Sequence, residues 1–401
     1  MIELELTDIA HGGEAVGRLE GKACFVDGAM PGERVRGEIT QDAGSWARLE
    51  LREVLTASPQ RVEPPCPLFG ACGGCQWQFA DYPTQLEWKR SILAGQLAHL
   101  GRVDHPPVRD TVAVGAPFGY RNRVDFQVAS GLPAFSRRRS HLLQPIDQCL
   151  LLQPALGALV SRLGDLGAAT ALTLRLATAT GALLAVIDGP VPSQASSWGC
   201  GVVQRHRGRL IPLVGSGWIV ETVAGVALRI TGDAFFQNHT AGAAALVGLV
   251  GEALSPRAGE TLLDAYAGGG LFGLTVGREA AAVVAVESAP VAVDDLRHNA
   301  KAAPMPVRVV EGAVDTALPH LETSWDLAVA DPPRTGLGER GVQAIVAGRP
   351  RAIAYVSCDP ASLARDTRTL AAAGYHLDWA APVDLFPQTF HVETVAAFTA
   401  R

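Results

Sequence analysis

One apolar stretch near the carboxyl end of the chain most constrains its fold. Residues 352–357 (Ala-Ile-Ala-Tyr-Val-Ser) form an apolar, β-branched run, which is typical of a parallel strand covered on both faces. Pro360 ends this strand, and the Ala-, Leu- and Arg-rich residues 361–373 predict a helix. Cys358 therefore lies at the carboxyl end of a strand, where open α/β sheets bind their ligands. The alternative for a lone cysteine is a small core residue.

Two earlier predicted strands carry the pattern of a cofactor site. The strand from Thr261 enters the turn Gly268-Gly269-Gly270, and the strand 282–287 ends at Glu287. Glycines let a cofactor approach the backbone, and the acid can bind ribose hydroxyls. This pattern alone fits S-adenosylmethionine or a dinucleotide, because Gly268-x-Gly270-x-x-Gly273 also satisfies the NAD fingerprint.

Two acidic residues at strand ends indicate which class of reaction the site could catalyse. A third strand, from Trp325, ends in Asp331-Pro-Pro-Arg334, and acid–Pro–Pro at a strand end is typical of methyltransferases that act on nucleobases or planar amides. The alternative is a Pro-rich turn. Glu393 stands just ahead of the last apolar strand and can act as a base. With Cys358 as a thiol nucleophile, these residue types favour catalysis over a core cysteine.

The cysteines indicate a metal centre. Seven cysteines in a long chain without an export signal favour free thiols or metal ligands over disulfides. Cys66, Cys72 and Cys75 are spaced to surround one centre, and both zinc and an iron–sulfur cluster take four thiolates. Cys149 is the best candidate for the fourth ligand, and Cys200 is the second.

The first 56 residues alternate apolar and polar positions, with glycines at the breaks, as in a small β-barrel. The segments 12–18 and 23–33 resemble the TRAM domain, an OB-like RNA-binding module. The net charge of −6 argues mildly against nucleic-acid binding. Residues 102–140, however, hold seven Arg and three Asp, a local charge of +4, on either a binding surface or a solvated loop. Within them, residues 118–126 alternate as a strand with Arg side chains on one face.

Together these motifs resemble the RNA uracil-5-methyltransferases, and most closely the iron–sulfur branch that acts on 23S ribosomal RNA. The resemblance covers essentially the whole chain, in the family's order. It implies S-adenosylmethionine as methyl donor and uridine C5 in RNA as target, with tRNA as the alternative substrate. It also implies a [4Fe–4S] cluster on Cys66, Cys72, Cys75 and Cys149.

By the same resemblance, Cys358 falls on the nucleophile and Glu393 on the base. The positions that contact the cofactor are Gln237, Tyr266, Gly268, Gly270, Glu287 and Asp331. Three positions depart from the family pattern: Asp359 stands in place of Asn, Leu271 in place of Asn, and Gln388 in place of His. The carboxylate of Asp359 would raise the pKa of the neighbouring thiol.

The resemblance gives a multidomain α+β organisation. We expect an OB-like TRAM barrel over residues 1–57 and a β-rich middle domain with the cysteine cluster over 58–230. A Rossmann-like α/β methyltransferase domain follows over 231–401. No apolar run is long enough to span a bilayer and no signal peptide is evident, so we expect a cytoplasmic enzyme with RNA as partner, and neither a membrane nor an obligate protein partner. An NAD-dependent enzyme with a zinc-binding domain is the alternative from another class.

Overall fold

The first five strands close into a small barrel in the computed structural model, which describes every residue from Met1 to Arg401. The strand order around the barrel is β1-β2-β3-β5-β4. The strands are β1 (Ile2–Ile9), β2 (Ala15–Leu19), β3 (Lys22–Val26), β4 (Arg34–Asp42) and β5 (Trp46–Thr56). Alternate residues such as Leu4, Leu6 and Val26 fill the core, as the period-2 pattern predicts. The predicted N-terminal barrel is confirmed, and Cys24 is buried within it.

The loop 57–81, here called the cysteine loop because it holds Cys66, Cys72 and Cys75, follows the barrel and leads to a long helix and a short strand. The helix α1 (Tyr82–His99) begins at Asp81, whose side chain accepts a hydrogen bond from the Thr84 amide at 3.0 Å. The strand β6 (Val112–Ala113) has only two residues.

The middle of the chain forms a seven-stranded sheet, here called the middle sheet, in the order β13-β12-β11-β10-β7-β8-β9. Its elements are β7 (Arg123–Ala129), β8 (Leu132–Ser136), β9 (Leu143–Pro145), the helix α2 (Pro154–Val160), β10 (Ala171–Leu176), β11 (Leu183–Asp188), β12 (Gly201–His206) and β13 (Arg209–Val214). The hairpin of β14 (Trp218–Val223) and β15 (Val226–Thr231) follows. The predicted strand over 118–126 begins only at Arg123, because the amides of Gly119, Arg121 and Asn122 bond to loop carbonyls instead.

The last part of the chain alternates helices and strands. Its elements are α3 (Thr240–Leu254), β16 (Thr261–Ala265), α4 (Leu271–Thr275), β17 (Ala282–Glu287), α5 (Pro290–Ala300), β18 (Val307–Glu311), α6 (Val314–Ala317), β19 (Leu327–Ala330), α7 (Gly338–Val346), β20 (Ala352–Ser357), α8 (Pro360–Ala372), β21 (Tyr375–Asp384) and β22 (Glu393–Ala400). The C-terminal sheet has the order β18-β17-β16-β19-β20-β22-β21-β6. β22 is antiparallel to both of its neighbours, whereas the first five strands are parallel. The predicted C-terminal α/β fold is confirmed.

Two elements from the predicted middle domain lie on the C-terminal sheet. β6 pairs in parallel with β21, and Leu93 and Leu97 of α1 belong to the apolar core beneath that sheet. The sequence pattern could not show this, because an apolar helix face does not specify its partner. The domain boundaries at residues 58 and 231 remain a prediction, and β6 belongs to the sheet whose other strands follow residue 231.

Contacts between side chains join the barrel to both sheets. Arg138 pairs with Asp27, and Arg139 Nη2 lies 2.7 Å from Glu14 Oε1, so barrel acids engage two of the three consecutive arginines. Trp77 Nε1 donates to the Gly13 carbonyl at 3.1 Å. No helix in the structure combines the length and apolarity needed to cross a membrane.

Candidate active site

A cavity of about 1270 Å³ opens beside the carboxyl ends of β16 and β19, where the strand order of the C-terminal sheet reverses. The structure brings most of the predicted catalytic and cofactor residues to its wall: Gln237, Tyr266, Gly268, Glu287, Asp331, Cys358 and Glu393. This volume exceeds that of a pocket for one drug-sized ligand, about 300–1,000 Å³. The cavity therefore has room for a cofactor and a second group beside it.

The sheet register sets Cys358 opposite Glu393. β20 and β22 are antiparallel, with Val356 paired to Val395 and Ser357 to Thr394. If the same register continues by one residue, Cys358, just beyond the end of β20, lies opposite Glu393, the first residue of β22. Two strands far apart in sequence thus bring a thiol and a carboxyl to one point of the cavity wall.

Burial favours the protonated form of both groups. The pKa of Cys358 is raised to about 11 by burial and then by the neighbouring carboxyls of Glu393 and Asp331. Burial and Asp331 likewise raise the pKa of Glu393 well above its usual value, and the guanidinium of Arg334 opposes both shifts. Perturbed groups of opposite function in one cavity are a mark of acid–base chemistry.

The turn after β16 and the end of β17 form the other end of the cavity. Glu287 Oε2 accepts from the Gly268 amide at 2.8 Å, and Oε1 accepts from the Ser288 and Ala289 amides at 2.8 and 2.7 Å. These bonds fix the Glu287 carboxylate on the cavity wall. Its oxygens can still accept further hydrogen bonds from hydroxyl groups. Tyr266 takes a left-handed φ of +62°, which turns the chain into the glycine loop.

Gly270 lies below the cavity rather than on its wall. Its φ is +97°, and a Cβ there would lie 2.7 Å from Leu274 Cδ1 and 2.8 Å from Leu296 Cδ1. Gly270 is therefore needed for packing of the turn. At Gly268, with φ +54°, a Cβ would meet no atom within 4 Å. Leu271, one of the departures from the family pattern, presents an apolar side chain to the cavity.

Asp359 ties the turn that follows Cys358 to the barrel. Its Oδ1 accepts from the Ser362 amide at 2.7 Å and caps α8, and its Oδ2 lies 3.3 Å from His11 Nε2 in the β1–β2 loop. The hydrogen bond to His11 and those to Ser362 hold the pKa of this carboxyl well below its usual range. The carboxylate is therefore charged beside Cys358 and adds to the rise in the thiol pKa, as expected for this departure.

The loop between β21 and β22, which precedes Glu393, is fixed by α1 and by the cysteine loop. The side-chain amides of Gln388 and Gln85 meet at 3.0 Å, and Gln85 also accepts from the Gln388 amide at 3.0 Å. The Gln388 carbonyl accepts from the Gln76 and Trp77 amides at 3.0 and 3.1 Å. The glutamine in place of histidine is thus a structural residue in this chain.

Three further side chains on the cavity wall were not assigned from the sequence. Phe235 is 64% exposed, Arg334 is exposed after Asp331-Pro-Pro, and His391 lies between Phe386 and Phe390. Burial, together with cationic groups led by Arg334, lowers the pKa of His391 to about 4, so its ring is neutral. The local sequence does not show whether an aromatic residue lines a cavity or packs in a core. The position of Phe235 on the cavity wall could therefore be recognised only from the structure.

The four predicted metal ligands gather around a smaller cavity of about 30 Å³, here called the cysteine pocket. Cys66, Cys72, Cys75 and Cys149 line it, whereas Cys200 does not. As placed, these side chains form no group of three or more that could hold a metal ion. Burial raises the pKa of Cys75 to about 12 and raises those of Cys72 and Cys149. The donor set, four thiols with no acid or His in the pocket lining, nevertheless fits zinc or an iron–sulfur cluster.

Two sequence profiles match parts of the chain. The profile described as tRNA (uracil-5-)-methyltransferase matches residues 320–401, which include Cys358 and Glu393. The profile of the TRAM domain matches residues 1–48, within the barrel.

Relatives match over nearly the full length. A protein of Gloeobacter violaceus named as an uncharacterized RNA methyltransferase is 35% identical over 98% of this chain and 95% of its own length. One of Streptomyces avermitilis with the same name is 36% identical over 98% and 97%. The solved tRNA (uracil-54, C5)-methyltransferase of Pyrococcus abyssi, in complex with S-adenosyl-L-homocysteine, superposes with a TM-score of 0.81 at 24% identity, covering 99% of this chain and 100% of that one. At this identity the structural likeness shows the shared fold.

Proposed function

Because the chain belongs to the S-adenosylmethionine-dependent RNA uracil-5-methyltransferases, we propose that it methylates C5 of a specific uridine in 23S ribosomal RNA. The observation that carries the proposed C5 chemistry is the antiparallel register that sets Cys358 opposite Glu393 on the cavity wall. The choice of 23S ribosomal RNA rests on the resemblance to the iron–sulfur branch. Uracil C5 is a poor nucleophile, and a thiol opposite a base is what its methylation requires. Family membership excludes the NAD-dependent alternative.

The residues at the glycine turn fit S-adenosylmethionine. The Glu287 carboxylate is poised to accept from ribose hydroxyls, and Gly268 leaves open space beside the backbone. Gln237, Tyr266 and Asp331 line the same cavity and would complete the binding site. When bound, the cofactor supplies an electrophilic methyl group on a sulfonium.

Cys358 and Glu393 act in sequence on the uracil ring. The Cys358 thiol first gives its proton to water, and its sulfur then bonds to C6 while the electron pair of the C5–C6 double bond moves towards C5. C5 then takes the methyl group, whose bond to the sulfonium breaks with its electron pair left on sulfur. Glu393, in the carboxylate form that becomes more populated as the pH rises, removes the C5 proton. The electron pair left behind restores the C5–C6 double bond and breaks the sulfur–C6 bond, so the thiolate is released.

The target base must leave its stack to reach these groups, at a cost of roughly a few kcal/mol. Phe235, largely exposed in the cavity, offers a face on which an unstacked base can lie. Arg121, Arg137 and Arg334 on the cavity wall can bind phosphates. Since Arg138 and Arg139 already pair with barrel acids, they serve to join the barrel rather than to bind RNA.

The cysteine pocket is proposed to hold a [4Fe–4S] cluster on Cys66, Cys72, Cys75 and Cys149. Its support is the resemblance to the iron–sulfur branch and the gathering of four thiols in one pocket. The pocket is separate from the cavity that contains Cys358, and methyl transfer needs no electron, so the cluster would serve folding and RNA docking.

A tRNA substrate is the second candidate. The profile that matches residues 320–401 and the Pyrococcus abyssi enzyme are both named for tRNA, and the catalytic set would be the same. Mapping 5-methyluridine by mass spectrometry in 23S ribosomal RNA and tRNA from a deletion strain separates the two. Loss in ribosomal RNA alone supports the proposal, and loss in tRNA alone overturns it.

The chemistry itself is tested by tritium release. RNA labelled with tritium at uridine C5 should release tritium to water when the enzyme and S-adenosylmethionine are present, because the C5 proton is lost. Cys358→Ala should abolish release and leave cofactor affinity nearly unchanged, since the thiol acts only in the covalent step. Turnover by Cys358→Ala would contradict the assignment of Cys358 as the nucleophile.

A further inference from the structure

The loop that leads from β15 to α3 carries much of one cavity wall. Asp233, Phe235 and Gln237 of this loop face the cavity. Phe235 has 64% of its surface exposed, so its ring has little packing to fix it. The backbone of residues 232–237, here called the presenting segment, must therefore hold the ring in place.

Three arginines from adjacent parts of the middle sheet bind the presenting segment. Arg175 on β10 donates through Nε to the Gly232 carbonyl at 3.0 Å and through Nη2 to the Ala234 carbonyl. Arg123 on β7 donates to the same Ala234 carbonyl at 3.4 Å. Arg205 on β12 forms a two-pronged ion pair with the Asp233 carboxylate.

Arg175 cannot itself bind RNA, because only 2% of the residue is exposed. Its guanidinium bonds main-chain carbonyls and no carboxylate, although a buried charge is usually paired with an opposite one. A methionine of similar length would fill the space without this cost. The buried charge is explained if the geometry of the segment depends on the two carbonyl bonds.

The sheet register adds a second cost. Arg123 and Arg175 are direct cross-strand partners, an arrangement in which like charges destabilise a sheet. Asp125 relieves it by accepting from Arg123 at 2.9–3.2 Å and from Thr173 at 2.7 Å. The two arginines thus lie side by side where both donate to the carbonyl of Ala234, the residue before Phe235.

We propose that Arg175, supported by Arg205, is a positioning residue that holds the presenting segment so that Phe235 faces the target uridine and Gln237 faces the cofactor. The inference deepens the proposed function and rests on it. It assigns the middle sheet a role in catalysis that does not require any of its arginines to touch the substrate.

A double-mutant cycle tests this coupling. The assay is single-turnover methylation of bulk RNA from a strain that lacks the gene, with cofactor in excess. Phe235→Ala should lower kcat/KM about tenfold to a hundredfold, the range for loss of one stacking contact. Arg175→Met should lower it about a hundredfold through misplacement. If Arg175 acts through Phe235, the double variant should lose no more than about threefold beyond the worse single variant.

Arg205→Gln provides a second cycle with Phe235→Ala, because Arg205 is partly exposed and its loss is compatible with folding. Arg209→Gln, an exposed arginine on the neighbouring β13, is the matched control and should act as wild type. Losses that multiply in both cycles would overturn the positioning role. Failure of the wild type to methylate any RNA would instead overturn the proposed function.

Discussion

Three carboxyls around Cys358 raise the pH at which its thiol loses its proton. Glu393 and Asp331 raise the pKa of Cys358 beyond the effect of burial, and Asp359 adds to them from the other side. Asp331 itself has a pKa raised to about 7 by burial and by Asp264. The reactive thiolate is thus a minor form at neutral pH, which protects the cysteine from oxidation while no substrate is bound.

The pH profile of kcat/KM should therefore rise from pH 6 to 9. An acid with a raised pKa loses its proton only at higher pH, so below pH 11 the thiolate fraction of Cys358 grows about tenfold per pH unit. The carboxylate form of Glu393 grows in the same direction. Stopped assays across this range measure the profile, and a flat or falling one would contradict these shifts.

Asp359 and His11 provide a matched pair of variants for the same thiol. Both Asp359→Asn and His11→Ala break the 3.3 Å contact, but only the first removes the negative charge, and Asn still caps α8. Below pH 9, Asp359→Asn should raise kcat/KM roughly twofold to tenfold, and His11→Ala, which keeps the carboxylate beside Cys358, should not raise it. Equal changes in one direction would show that the contact matters and the charge does not.

Glu393→Gln should separate methyl transfer from proton removal. The amide cannot take the C5 proton, so a covalent methylated enzyme–RNA adduct should accumulate and survive denaturing electrophoresis. The double variant with Cys358→Ala is the control and should give no adduct. Normal turnover, or inactivity without adduct, would assign the base to another group.

At the scale of elements, the conformation of the β21–β22 loop is fixed by hydrogen bonds from α1. Lys89 of α1, fully buried, donates to Asp384 at 2.6 Å and to the Phe386 carbonyl at 3.0 Å. Gln85 of the same helix binds Gln388. One face of α1 thus sets the path of the chain into Glu393.

Lys89→Met should destabilise the protein by about 3–5 kcal/mol, because it leaves the buried carboxylate of Asp384 without its cation. Thermal unfolding measures the loss. Lys89→Met combined with Asp384→Leu removes both charges and should recover most of the stability. If the double variant is as unstable as the single one, the loss comes from packing of α1 rather than from the unpaired charge.

Local signals predicted the elements that carry the chemistry. The strands 282–287 and 352–357 are continuous apolar runs up to their last residue, the strand from Thr261 leads into the glycine turn, and Asp359-Pro360 marks the start of α8. The sequence could not place α1 and the two-residue β6 on the C-terminal sheet, since their partners lie almost 300 residues away. Nor could it show that Arg138, Arg139 and Arg175 bind other parts of the chain, because charge patterns do not reveal a partner.

For the molecule as a whole, the cysteine loop is the point where all three parts meet. Gly73 donates to the Ser136 carbonyl of the middle sheet, and Trp77 bonds both Gly13 of the barrel and Gln388 beside the C-terminal sheet. Anything that holds the four cysteines together thus also holds these contacts in place.

Cys149→Ser and Cys200→Ser form a matched pair that tests the cluster. Of these two cysteines, Cys149 lines the cysteine pocket and Cys200 does not. Cys149→Ser should therefore lose bound iron, brown colour and thermal stability, whereas Cys200→Ser should keep the iron. Iron and zinc are quantified after anaerobic purification. Stoichiometric zinc without iron in the wild type would overturn the cluster type, and full iron in Cys149→Ser would assign the fourth ligand elsewhere.

The ion pair of Lys89 with Asp384 also sets an order of events during synthesis. The two residues are 295 positions apart, so a ribosome that has just made α1 needs roughly 15 to 60 s to reach the partner. Throughout that time the helix has neither its counter-charge nor the strands that cover Leu93 and Leu97. The barrel, whose strands are all made beforehand, can fold first. The apolar face of α1 is therefore uncovered on the nascent chain between these two moments.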